Sequence, residues 1–167
     1  QWSQVKGVPY PHVGWWGRAE SLDNEIFDIK PFPNILSQLK KDVVNPNAHV
    51  IILTSRREKL RPQVEKILSD NGIVVDEVIL KRGNETKGEV ILSYLKRIPD
   101  LKKIDVYDDF AGGEEHKIRE FTDIESQIPD DVEYNIYAVE ERGDRFELME
   151  STNNVLNIIM EELRKLK

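Results

Sequence analysis

Cysteine is missing from the sequence altogether, which excludes a disulfide framework and a thiolate zinc site. That absence agrees with a reducing cytoplasm, the location expected here. Long apolar runs are missing too. The longest, Val50-Ile51-Ile52-Leu53, is strand-sized, far short of the ~20 residues a membrane-crossing helix needs. No basic region followed by an apolar stretch opens the chain, so no secretory signal is expected. Positive charge is in deficit, with 24 Lys and Arg against 31 Asp and Glu and a formal net charge of −7. A protein that tracks a long duplex presents a basic face. An acidic chain with a local basic pocket fits a short anionic ligand or a nucleic-acid end better. A Gly-rich phosphate loop of the dinucleotide or P-loop type is also lacking.

The chain is 167 residues long, 39% hydrophobic and 33% charged, the profile of one globular domain with a real core. Residues 1–30, with Gly7, Pro9, Pro11, Gly14 and Gly17 among large aromatics, read as a cap or loop segment. Residues 31–167 read as a single α/β core. Pro33 starts a helix through Ile35, Leu36, Leu39 and Val43. His49 to Leu53 is a nearly all-apolar strand of the kind buried on both faces. Leu60, Val64, Ile67 and Leu68 mark a second helix that Gly72 ends. Val74 to Leu80 is the next strand. Thr86-Lys87-Gly88-Glu89 is a capping box opening a helix that Pro99 stops. Lys103 to Tyr107 is a third strand, Gly113 to Phe121 a helix, and Tyr134 to Val139 a fourth strand. Glu140 to Asp144 reads as a charged turn, and Ser151 as the cap of a last helix. Alternating strand and helix predicts a parallel sheet with helices on both faces.

Ligands of such sheets bind beyond the carboxyl ends of the strands. After the first strand come Thr54-Ser55-Arg56: two hydroxyls, turning amides and a guanidinium able to hold a phosphate. A serine or threonine leading into a helix, with a surface arginine, is the plainer alternative. After the second come Lys81 and, at a helix start, Lys87, which either adds a full charge to the helix's partial positive one for an anion or is simply solvated. After the third come Asp108-Asp109, hard oxygen ligands suited to Mg²⁺, or else a turn-forming pair. Trp15 and Trp16 are either stacking surfaces for a base or pins that hold a loop. His12 and His116 are either polar site contacts or exposed residues. Arg57, Lys59 and Arg61 read as a solvated helix face.

The order "ILTSR", "TKGEVI", "VYDD" resembles the haloacid-dehalogenase-like (HAD-like) superfamily over about residues 31–125. The resemblance implies a three-layer Rossmann-like core. It places the phosphoryl-binding hydroxyl on Thr54 and the anion-neutralising lysine on Lys87, with Lys81 a weaker candidate. Mg²⁺ ligation falls on Asp108 and Asp109. Two groups within the superfamily are similar: the phosphatase domain of polynucleotide kinase-phosphatases, and the Swiss Army Knife RNA repair-like group. Gly14-Trp15-Trp16-Gly17, His116 and Phe121 resemble features of the latter.

HAD phosphatases carry a strand ending in Asp-x-Asp, whose first aspartate attacks phosphorus and whose second is the general acid and base. No such strand is legible here. Ile26-Phe27-Asp28-Ile29-Lys30 is the nearest substitute, with Lys30 standing where the second aspartate belongs. The expectation is that a strand before residue 1, or a partner fragment, supplies it. The expected activity is hydrolysis of a phosphomonoester, on a small molecule or a nucleic-acid end. A catalytically inactive HAD-like module that binds a phosphorylated ligand or a protein is the alternative. An unrelated α/β binding fold is the third.

Overall fold

The computed structural model describes residues 2–27, 29–81, 83–109, 115–139 and 146–149. They fall into two units, one ending at Glu85 and the other beginning at Thr86. The Asp28 candidate, the turn at Glu140–Asp144 and the helix expected from Ser151 lie outside the described residues.

The first unit opens with a short helix, α1 (Trp2–Lys6), and two 3₁₀ turns, Trp15–Gly17 and Ala19–Leu22. Aromatic side chains organise this irregular stretch. Trp15 meets Trp2, Tyr10 and Phe27 edge-to-face at 5.9, 4.7 and 5.2 Å between ring centres. That geometry sets a positive ring edge against a negative ring face.

Helix α2 (Pro33–Asp42) begins on its proline, where the missing N–H costs nothing. Strand β1 (Ile51–Arg57) pairs in parallel with β2 (Glu77–Lys81), joined through α3 (Arg61–Asp70). The start of α3 is tied to the sheet, because Arg61 donates to the Val78 carbonyl at 2.9 Å and also to Glu58. Its end is a Schellman motif. Gly72 has φ of 67°, Gly72 N–H donates to Ser69 O and Ile73 N–H to Leu68 O. Ile73 is thereby spent as the buried lid of this cap, and Val74 stands 83% exposed. For that reason β2 starts three residues later than the apolar run from Val74 predicts. Leu60 and Leu80 are the most deeply buried side chains of this unit, each contributing about 1.5–3 kcal/mol.

In the second unit, α4 (Lys87–Arg97) has the expected capping box. Glu89 N–H donates to Thr86 Oγ1 at 3.1 Å, and Thr86 N–H donates to Glu89 Oε2 at 2.7 Å. Strand β3 (Lys103–Asp108) pairs in parallel with β4 (Glu133–Val139), and α5 (Glu115–Thr122) lies between them in sequence. A fifth strand, β5 (Phe146–Met149), adds antiparallel to β4. This strand was not anticipated, and it makes the small sheet mixed rather than purely parallel. Phe121 and Ile136 are the buried centre, packed against Ile91, Val106, Ile118, Tyr134 and Ala138.

Tyr134 closes this core, its hydroxyl donating to the Phe121 carbonyl at 3.1 Å. Burial first, then the Glu125 carboxylate, holds its phenol well above the ordinary value. In the unfolded chain the same phenol ionises near pH ~10. Its stabilisation is therefore complete below that pH and is lost as pH rises toward the folded value. Tyrosinate absorbance from Tyr134 should appear only with unfolding, and Tyr134→Phe should flatten the alkaline fall in stability. A Tyr134 signal that titrates while the helix circular dichroism stays intact would contradict this.

Candidate functional site

The candidate residues divide between the two units. In the first, β1 does not end at Leu53 but runs on to Arg57. Its ladder with β2 is regular to Thr54↔Leu80 and then jumps to Arg57↔Lys81, leaving Ser55 and Arg56 without register partners. The cause is local. Thr54 Oγ1 accepts from the Arg56 N–H at 3.3 Å, a side-chain bond that takes the place of a ladder bond. Such irregularities at strand ends re-aim side chains. Ser55 is exposed, and Thr54 and Arg56 are half-buried.

The Arg56 guanidinium turns back on the preceding segment. It donates to the Trp16 carbonyl at 2.7 Å and to Ser21 Oγ at 2.9 Å. Ser21 Oγ in turn donates to the Arg18 carbonyl, and Ser21 is buried. Burial draws the Arg56 guanidinium below its ordinary value. The two tryptophans have separate fates. Trp15 is packed among aromatic rings, whereas Trp16 is 66% exposed with Arg56 over its ring at 5.0 Å. His12 is an exposed residue set edge-on to Tyr10. Lys81 closes β2. Arg57, Lys59 and Arg61, expected on one solvated helix face, are split between elements: Arg57 ends β1 and Lys59 stands in a 3₁₀ turn, both exposed, while Arg61 starts α3 and is engaged by Glu58 and Glu65.

In the second unit, Lys87 is the first residue of α4 and Asp108 the last of β3. Their side chains meet: Lys87 Nζ donates to Asp108 Oδ2, and the ammonium passes 5.5 Å over the Phe121 ring on the way. Two residues 21 apart in sequence are thus joined at the carboxyl end of a parallel strand. Asp109 follows, exposed. The side chain of His116 lies outside the described residues. The sequence reading missed Glu120, whose Oε2 accepts from the Lys87 N–H at 3.1 Å. It also missed Ser21, which stands in a segment without periodicity, so no pattern marks it.

Lys87 thus engages Asp108 through its ammonium and Glu120 through its main-chain N–H, with Asp109 next in sequence to Asp108. No group of three or more His, Cys, Asp or Glu among the described residues is placed to hold a metal. Asp108 and Asp109, hard oxygen donors at and just after the end of β3, are the residues that would hold a cation such as Mg²⁺, which keeps several waters and takes one or two carboxylates.

Parallel strands joined through helices, with a lysine and an acid pair gathered at a strand's carboxyl end, define an α/β domain of the HAD-like class. The chain belongs to HAD domain family 1 in Swiss Army Knife RNA repair proteins, whose model matches residues 9–163. No curated protein and no solved structure matches it. No helix among the described residues is long and apolar enough to cross a membrane.

Proposed function

We propose that this HAD domain is the phosphate-handling body of a Mg²⁺-dependent phosphohydrolase that acts on a phosphomonoester at a nucleotide or nucleic-acid end. The observation that carries the proposal is the Lys87–Asp108 pair at the carboxyl end of β3. Lys87 offsets charge on the phosphoryl group. In the first unit, Thr54, Ser55 and Arg56 are a separate candidate phosphate contact, made of hydroxyls, turning amides and a guanidinium. Asp108 and Asp109 hold the cation, which when bound supplies charge neutralisation for phosphoryl transfer. In this proposal the fold is of the three-layer Rossmann-like class, residues 1–30 are a cap or loop segment, and the protein is cytoplasmic.

None of the 167 residues forms an Asp-x-Asp. In the same proposal, a segment outside these residues contributes the nucleophile. Among the described residues, β1 pairs only with β2, and β3 keeps one edge without a strand. Each of these edges is a ladder to which a further strand can be added. The missing motif equally favours a second reading, a non-catalytic module that binds a phosphorylated ligand or protein. Phosphate release from p-nitrophenyl phosphate by the full-length protein decides between them. The enzyme releases phosphate with Mg²⁺, stops in EDTA and recovers when Mg²⁺ is restored. Full activity in EDTA would remove the metal, and phosphate binding without turnover would leave the binding module.

A further inference from the structure

Among the described residues, Arg56 is a cation without a counterion. Its hydrogen bonds go to a neutral carbonyl and a neutral hydroxyl, and no carboxylate pairs with it among the described residues. It is half-buried as well, so it bears a desolvation penalty that no ion pair offsets. The chain carries seven more negative than positive charges, so an internal carboxylate partner would not have been hard to find. Arg57 and Lys59 follow, neither of them in an ion pair among the described residues. A guanidinium left in this state is suited to an external anion.

The indole beside it narrows the identity of that anion. Trp16 is adjacent to Trp15, yet only Trp15 is used to pin the segment. Trp16 keeps two-thirds of its surface in water, a costly way to carry the largest apolar side chain. Its position is nonetheless fixed: Arg56 grips its carbonyl and lies over its ring, and Ser21 fixes Arg56. A solvent-facing ring with a guanidinium over one face, and no carboxylate on that guanidinium among the described residues, matches the two ends of a nucleotide, a flat base and a phosphate.

We infer that Trp16 and Arg56 together seat one unpaired nucleotide, its base stacked on the indole and its phosphate on the guanidinium. The inference rests on the phosphohydrolase reading and deepens it by assigning the two residues that hold the base and the phosphate of an unpaired nucleotide. Tryptophan and arginine also anchor protein interfaces, and a protein partner is the outcome the test must separate.

Adenosine 5′-monophosphate and ribose 5-phosphate differ only by the base, so their binding to the full-length protein, measured by calorimetry, isolates stacking. The intact protein should prefer the nucleotide. Trp16→Ala should shrink that preference about tenfold, the usual value of one stacked base, and Trp16→Phe should restore most of it. Arg56→Gln should weaken both ligands. Equal affinities in the intact protein, or a preference untouched by Trp16→Ala, would overturn the inference and point to a protein partner. Phosphate release from ribose 5-phosphate is read in the same samples. Stacking can therefore fail while hydrolysis stands, and hydrolysis can fail while the base preference stands.

Discussion

Asp108→Asn should lower Mg²⁺-dependent phosphate release about 10²–10³-fold, the usual cost of losing one charge-placing group in such a site. The substitution keeps the shape and one hydrogen-bond acceptor for Lys87 but removes the charge. Two effects then combine. The cation loses a ligand, so the Mg²⁺ concentration for half-maximal rate rises. Lys87 loses the partner that fixes its ammonium, so it no longer offsets phosphoryl charge from a set position. Lys87→Met should cause a similar loss of rate without raising the Mg²⁺ requirement, and this split separates the two roles. The pair is 22% and 13% exposed, between a surface ion pair worth ~0–1 kcal/mol and a buried one that costs ~3–5 kcal/mol to break. Some loss of stability is therefore expected, and rates must be compared well below the unfolding range. An Asp108→Asn protein retaining more than about a tenth of the rate would remove this residue from the site.

How much of this could be read from the sequence depended on whether local chemistry decided the structure. The start of α4 was legible because Thr86 and Glu89 satisfy each other's backbone groups whatever the rest of the chain does. The end of β1 was not, because Thr54-Ser55-Arg56 carries the composition of a helix start. Only the pairing with β2 reveals that the strand continues through an irregular step. Strand β5 is four residues long, between a charged run and a helical period, too short for alternation to register. The separate fates of Trp15 and Trp16 were hidden for another reason. In a 3₁₀ turn, neighbouring residues point in different directions, and nothing in the sequence says which of the two faces the aromatic cluster. The Lys87–Asp108 contact was legible only as a lysine at a helix start, an acid at a strand end and a family resemblance. Its formation depends on packing of α4 against the second unit's core.

That packing turns on Gly88. In an exposed helix interior, exchanging glycine for alanine gains up to ~1 kcal/mol. Gly88→Ala should do the opposite here, destabilising the protein by about 3 kcal/mol or more, the upper end of overpacking costs. A β-carbon at this position would overlap the Glu120 carbonyl oxygen and come within 2.9 Å of Ile124 Cγ2. The methyl of Ile124 can rotate away, but the Glu120 carbonyl is main chain within α5 and cannot. Relief therefore requires α4 or α5 to move. α5 carries Phe121, at the buried centre of the unit, and α4 carries Lys87 one residue before the glycine. Moving either helix disturbs the core or the ammonium, so the substitution should reduce stability and phosphate binding together. Thermal unfolding followed by helix circular dichroism should fall by about 10 °C. Gly88→Ala with an unchanged or raised midpoint would mean that the two helices do not approach this closely. The glycine in Thr86-Lys87-Gly88-Glu89 would then need an explanation other than steric room for the lysine's helix.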